Sequence, residues 1–131
     1  MNNFLKKLFG KPNENTNKYF NNSNMKFIIK VDNLKIGYLT SKDNQWMFEY
    51  TDDFRKQDEY HRLVGFRDLN KKYLSDNLWP FFKIRIPGLK QPIVKEQIEK
   101  ERLNIENEAE LLKFFGRKSI TNPYILELFS E

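Results

Sequence analysis

From Lys26 onward the chain carries apolar residues in short bursts separated by polar turns. Phe27, Ile28, Ile29 and Val31 form a β-branched and aromatic run, Asp32-Asn33 interrupts it, and Leu34 to Thr40 resumes it. That order predicts a β-hairpin, with Gly37 inside the second strand marking a bulge. Ser41 to Asn44 is a second polar turn, and Gln45-Trp46-Met47-Phe48-Glu49-Tyr50 then predicts the third strand of a meander. Trp46, Phe48 and Tyr50 share one parity, so they are expected on the core face, with Met47 and Glu49 outward.

The middle of the chain is less regular. Asp52 or Asp53 is placed to cap a short helical turn. Leu63 to Phe66 reads as a further short strand, although Gly65 is awkward in one, and Asp68 to Leu74 reads as a short helix. Beyond Pro92 the period becomes helical: Ile93, Val94, Ile98 and Ile105 are expected to share an apolar stripe beneath a charged outer face. Asn107 stands three residues before Glu110, which predicts a capped second helix with Ala109, Leu111, Leu112 and Phe115 inside and Gly116 as its stop. Arg117 and Lys118 suit its C-terminal dipole. Tyr124 to Leu128 predicts a closing strand. The expected fold class is therefore α+β, a small antiparallel sheet covered on one face by two or three helices, spanning residues 25–131.

Residues 1–24 are read as a separate arm. Gly10 to Asn24 is rich in Asn, with Lys, Pro and Ser, and offers no apolar face. At its tip Phe4, Leu5, Leu8 and Phe9 alternate with Lys6 and Lys7 in a short amphipathic pattern. The tip lacks the apolar run of a signal peptide and the length of a membrane-spanning helix, so the expectation is a cytoplasmic protein with no direct membrane role.

The most unusual stretch is Leu-Trp-Pro-Phe-Phe-Lys-Ile-Arg-Ile-Pro-Gly-Leu-Lys-Gln-Pro, from Leu78 to Pro92. It interleaves aromatics with cations and prolines, the makings of a brace or a docking surface. Trp79, Phe81, Arg85 and Lys90 are the candidate partner-binding residues. Trp79 precedes a proline and follows Ser75-Asp76-Asn77, so its indole either projects as an interface anchor or packs under the helix from Pro92. Arg85 offers a fork to a carboxylate or phosphate.

Composition narrows the chemistry. With no cysteine and one histidine, His61, the 131-residue chain has no thiolate nucleophile and no histidine pair for a catalytic metal, and no cofactor is expected. The charge of +5 is spread along the chain. It permits nucleic-acid binding, with Lys71, Lys72, Lys83, Arg85 and Lys90 as contacts, without indicating it.

As an ordered set, these pieces resemble the N-terminal subdomain of HipA-type serine/threonine kinases. The matching segments are Val31-Asp32-Asn33 to Ile36-Gly37-Tyr38-Leu39, Phe81-Phe82 to Pro87, and Leu111-Leu112-Lys113-Phe114-Phe115-Gly116-Arg117, and the resemblance covers about Lys26 to Leu126. Many family members follow the Gly-Arg turn with an acidic residue and a Gly-Ala pair, whereas this chain has Lys118-Ser119-Ile120-Thr121-Asn122-Pro123. No Gly-rich phosphate loop or Asp-containing catalytic loop is present, so the chain is not expected to be an enzyme. The resemblance implies a stand-alone HipS-like subunit of a three-part HipBST-type toxin–antitoxin system. Such a subunit docks on and restrains a shortened HipA-like (HipT-type) kinase, in a complex that includes a HipB-like DNA-binding protein. The alternative is a nucleic-acid-binding or structural subunit of a DNA-bound repressor complex.

Overall fold

Two adjacent residues with left-handed backbone, Asp43 (φ 53°) and Asn44 (φ 63°), turn the chain tightly enough to pair β2 (Leu34–Lys42) with β3 (Gln45–Tyr50). Positive φ at both positions gives a turn whose twist matches the strands, and Asp and Asn tolerate it better than most residues. The computed structural model describes residues 21–130, and the amphipathic tip at Phe4 to Phe9 lies outside them. β1 (Met25–Val31) joins β2 through Asp32 and Asn33, so the meander forms as its periodicity predicts. Two more strands, β4 (Tyr73–Ser75) and β5 (Ile125–Leu128), complete a five-stranded antiparallel sheet in the order β4-β3-β2-β1-β5.

One sheet face carries the core. Phe27, Ile29, Val31, Leu39, Trp46, Phe48 and Tyr50 are all buried there. Each such side chain contributes roughly 1.5–3 kcal/mol by leaving water. The register shifts between Ile29 and Lys30, leaving Ile36 as the extra residue of a bulge beside Gly37. A Cβ on Gly37 would stand 2.5 Å from the Phe48 ring, so only glycine lets that ring lie flat on β2.

Among the described residues, four short helices and their loops close over this face. α1 (Asp52–Arg55) is capped by Thr51, whose Oγ1 accepts from the Phe54 amide at 3.0 Å, and not by Asp52 or Asp53. α2 (Pro80–Lys83) begins with proline at its first turn, where the missing N–H costs nothing. α3 (Pro92–Glu101) starts the same way. α4 (Glu108–Phe115) is capped by Asn107, whose Oδ1 accepts from the Glu110 amide at 3.1 Å, as expected. The Glu110 carboxylate reaches Asn104 instead of closing a reciprocal box.

Several local expectations are corrected. Leu63 to Phe66 is a turn rather than a strand, and Asp68 to Leu74 forms no helix, because Tyr73 and Leu74 pair with β3. The stripe over Ile93, Val94, Ile98 and Ile105 does not form. Only Val94 is buried, Ile93 is 65% exposed and Ile105 is 52% exposed. Neighbours in a helix point about 100° apart, which separates Ile93 from Val94. The left-handed Arg102 (φ 55°) ends α3 before Ile105. Gly116 terminates α4 without a positive φ: its amide returns to Leu112 O at 2.7 Å, and a Cβ there would meet that oxygen at 2.5 Å.

Residues 21–24, assigned by sequence to the arm, are tied to the domain. The Asn22 amide donates to Asn44 Oδ1 at 2.7 Å, its Oδ1 accepts from the Ala109 amide at 3.0 Å, and Asn24 Oδ1 accepts from the Asp43 amide. Among the described residues, no helix is long and apolar enough to cross a membrane.

Candidate functional site

The brace lies against the core through its aromatics. Pro80 forces Trp79 into extended backbone (φ −66°, ψ 148°), and the Trp79 carbonyl accepts from the amides of Phe82 and Lys83 to start α2. One turn of helix then sends Phe82 fully inward and leaves Phe81 half-buried. The Trp79 indole is also half-buried, edge-on to Phe66 with ring centres 5.1 Å apart. Phe81 meets Phe82 edge-on at 5.1 Å and lies 6.4 Å from Tyr124. One edge of the indole packs on Phe66 while part of the ring stays accessible.

Arg85 does not face a partner. It is only 4% exposed and turns its guanidinium inward. Nη1 donates to the carbonyls of Gly116 (2.9 Å) and Arg117 (3.2 Å), and Nη2 to Asn122 Oδ1 (3.1 Å) and the Tyr124 carbonyl (3.0 Å). Burial pushes its pKa down to about 10, which still leaves it charged at neutral pH. The fork expected to reach a partner's carboxylate or phosphate instead fastens residues 116–124 to the brace. Lys90 is exposed in the loop before α3.

What the brace and this fastened loop enclose is an open groove of about 480 Å³. Phe81, Pro80 and Ile84 form one side, Tyr124 and Asn122 the other, and Val64 enters from the 57–70 loop. Val64 is 79% exposed and Ile84 59% exposed, a concentration of apolar surface that a core does not require. Arg62 also lines the groove. Of these residues only Phe81 was singled out from sequence as a partner contact. Val64 was read as part of a strand, and nothing near it in sequence signals Ile84 or Tyr124 as its neighbours.

The 57–70 loop is itself held from the sheet. The Tyr50 hydroxyl donates to the Phe66 carbonyl at 2.5 Å and accepts from the Leu63 amide at 2.9 Å. Burial pushes its pKa up to about 12. His61, in the same loop, is exposed.

A buried carboxylate escaped the sequence reading. Glu108, in the first turn of α4, is 4% exposed. The Trp46 indole donates to it, and Lys83 Nζ lies 3.8 Å away. Burial raises its pKa, which the lysine and the indole offset in part.

The fold and groove thus describe a small α+β domain with an apolar recess on the helix-covered side. No protein-family model and no curated protein sequence matches the chain.

Proposed function

We propose that this chain is a non-catalytic binding module that docks on a separately encoded HipA-like serine/threonine kinase and restrains it. The single observation that supports the reading is the groove formed at the brace, where Val64, Phe81 and Ile84 leave apolar surface accessible. Hot spots of protein interfaces are built from such aromatic and aliphatic anchors. Restraint then needs only that the kinase lobes be held apart from their productive arrangement once the groove is filled. The kinase carries ATP and magnesium, and this chain carries neither. A HipB-like DNA-binding protein joins the same complex.

The test is co-expression with a HipA-like kinase encoded beside this chain, followed by co-purification and a kinase assay. The expected result is a stable complex with diminished phosphorylation. Val64→Glu combined with Ile84→Glu should keep the isolated protein's stability within about 0.5 kcal/mol, because both side chains are exposed. The same pair should weaken kinase binding by about 2 kcal/mol, roughly thirtyfold. No complex and unchanged kinase activity would overturn the proposal. Salt-steep DNA binding without a kinase would favour the repressor-subunit reading instead.

A further inference from the structure

Leu63 to Phe66 closes a turn in which the Phe66 amide returns to the Leu63 carbonyl at 3.0 Å and Gly65 has φ 94°, a value that a turn of this kind reserves for glycine at its third position. Val64 is thereby lifted onto the tip, 79% exposed, while the Tyr50 hydroxyl pins the turn from the sheet. The tip stands between two grooves. One is the apolar groove of Phe81, Ile84 and Tyr124, and the other, of about 580 Å³, is lined by Gln57, Asp58, His61 and Arg67 among others. Arg62, Leu63 and Val64 line both, so this turn is their common wall.

We infer that this wall recognises an acidic peptide segment of the partner, with an apolar side chain seated against Phe81 and Ile84 and a neighbouring carboxylate held by Arg62. The inference rests on the reading of the apolar groove as a protein-docking site and names the chemistry of the segment it takes. Charge is the first argument. Among the described residues, Arg62 and Arg67 make no hydrogen bond or ion pair, whereas Arg55, Arg85 and Arg117 each make at least one. Among those same residues, the apolar groove is lined by Arg62 and by no carboxylate, and the second groove sets Arg62 and Arg67 against Asp58 alone. A guanidinium at the edge of an apolar recess attracts a carboxylate more strongly than one in open water, because the recess lowers the local dielectric. The second argument is that the frame is already built. Gln57 bonds the backbone of Phe54 and Tyr60, and Arg55 Nε donates to the Leu69 carbonyl at 2.8 Å, so both ends of the loop are fastened before a ligand arrives. A nucleic-acid strand suits the wall less well, since its backbone needs a continuous track of cations, and Asp58 interrupts this one.

The probe is a short synthetic peptide with leucine and phenylalanine at its centre and glutamates on either side, titrated into the full chain and followed by amide chemical shifts. A second peptide carries glutamine in place of every glutamate. The expected result is saturable binding that shifts the amides of residues 62–64 and 81–84, with the glutamate peptide about tenfold tighter than its glutamine counterpart. Arg62→Gln should remove that preference, and Lys95→Gln, an exposed cation on α3, should leave it intact. Thermal melting shows that each variant is folded. Equal affinity for the two peptides, shifts centred elsewhere, or no saturable binding would overturn the proposal. A thymidine oligonucleotide that displaces the glutamate peptide with the same footprint and higher affinity would assign Arg62 to phosphate and overturn it as well. A kinase complex that forms equally well with Arg62→Gln would sink this inference and leave the docking proposal standing. Glutamate-selective peptide binding without any kinase complex would do the reverse.

Discussion

Arg85 Nη1 donates to the Gly116 carbonyl across 2.9 Å, joining the brace to the end of α4 from a position that is 4% exposed. The contact explains how a segment with three prolines holds its place: one cation collects the carbonyls of Gly116 and Tyr124 and shares that of Arg117 with the Leu126 amide of β5. The same bonds set the distance between Phe81 and Tyr124, and hence the width of the groove.

Arg85→Met keeps much of the side-chain volume and removes every donor. Replacing a buried cation relieves its desolvation, but the carbonyls of Gly116 and Tyr124 lose its hydrogen bonds, so a loss of about 2 kcal/mol is expected by urea unfolding. Amide exchange over residues 117–124 should accelerate at the same time. Unchanged stability would mean that the guanidinium is not what fastens this loop.

Trp79→Ala tests how the half-buried indole divides its surface. Its edge-on contact with Phe66 predicts a folding cost of about 2 kcal/mol, below the 3–5 kcal/mol typical of a fully buried tryptophan. Under the kinase-docking proposal the exposed part adds a separate loss of binding, measured at a temperature where the variant is fully folded. A folding cost at the upper end of the core range would leave no accessible anchor.

Tyr50→Phe removes one hydroxyl that serves two backbone groups of the 57–70 loop. The Leu63 amide and the Phe66 carbonyl then lose their bond in a buried setting, at a cost of about 1–3 kcal/mol. Thermal melting gives the size of the loss, and faster proteolysis between Gln57 and Arg67 would locate it in the loop.

Glu108 makes stability depend on pH in an uncommon direction. Its pKa is raised by burial, so the folded state holds a proton that the unfolded state releases. Its contribution is fully present below the unfolded carboxylate range and is lost as pH rises through the folded value. Glu127, lowered by Lys30 and then Arg117, acts oppositely, since its contribution is present above the unfolded range and lost as pH falls. Glu108→Gln should therefore match the parent at acid pH and equal or exceed it at neutral pH, as judged by urea midpoints across the range. A variant weaker at neutral pH but not at acid pH would show that the Lys83 pairing outweighs the burial.

Residue pattern by itself determined the parts of this protein that depend on neighbours in sequence. Alternating parity placed Trp46, Phe48 and Tyr50 in the core, Asn107 marked the start of α4, and the run from Tyr124 supplied the closing strand. Strand periodicity and helix caps act over a few residues, so the sequence carries them whole. What only the tertiary structure decided depends on groups far apart in the chain. Tyr73 became a strand because β3 offered a free edge, a contact that outweighs any local helical tendency. Leu63 to Phe66 became a turn because the Tyr50 hydroxyl satisfies its backbone. Arg85 reads in sequence as a surface fork, and its carbonyl partners lie more than thirty residues away. Ionised groups go inside only where the fold gathers enough partners to replace water, and no local pattern records that gathering. The groove of Val64, Phe81, Ile84 and Tyr124 has the same origin: three separate segments meet there because two buried polar side chains, Tyr50 and Arg85, hold its walls.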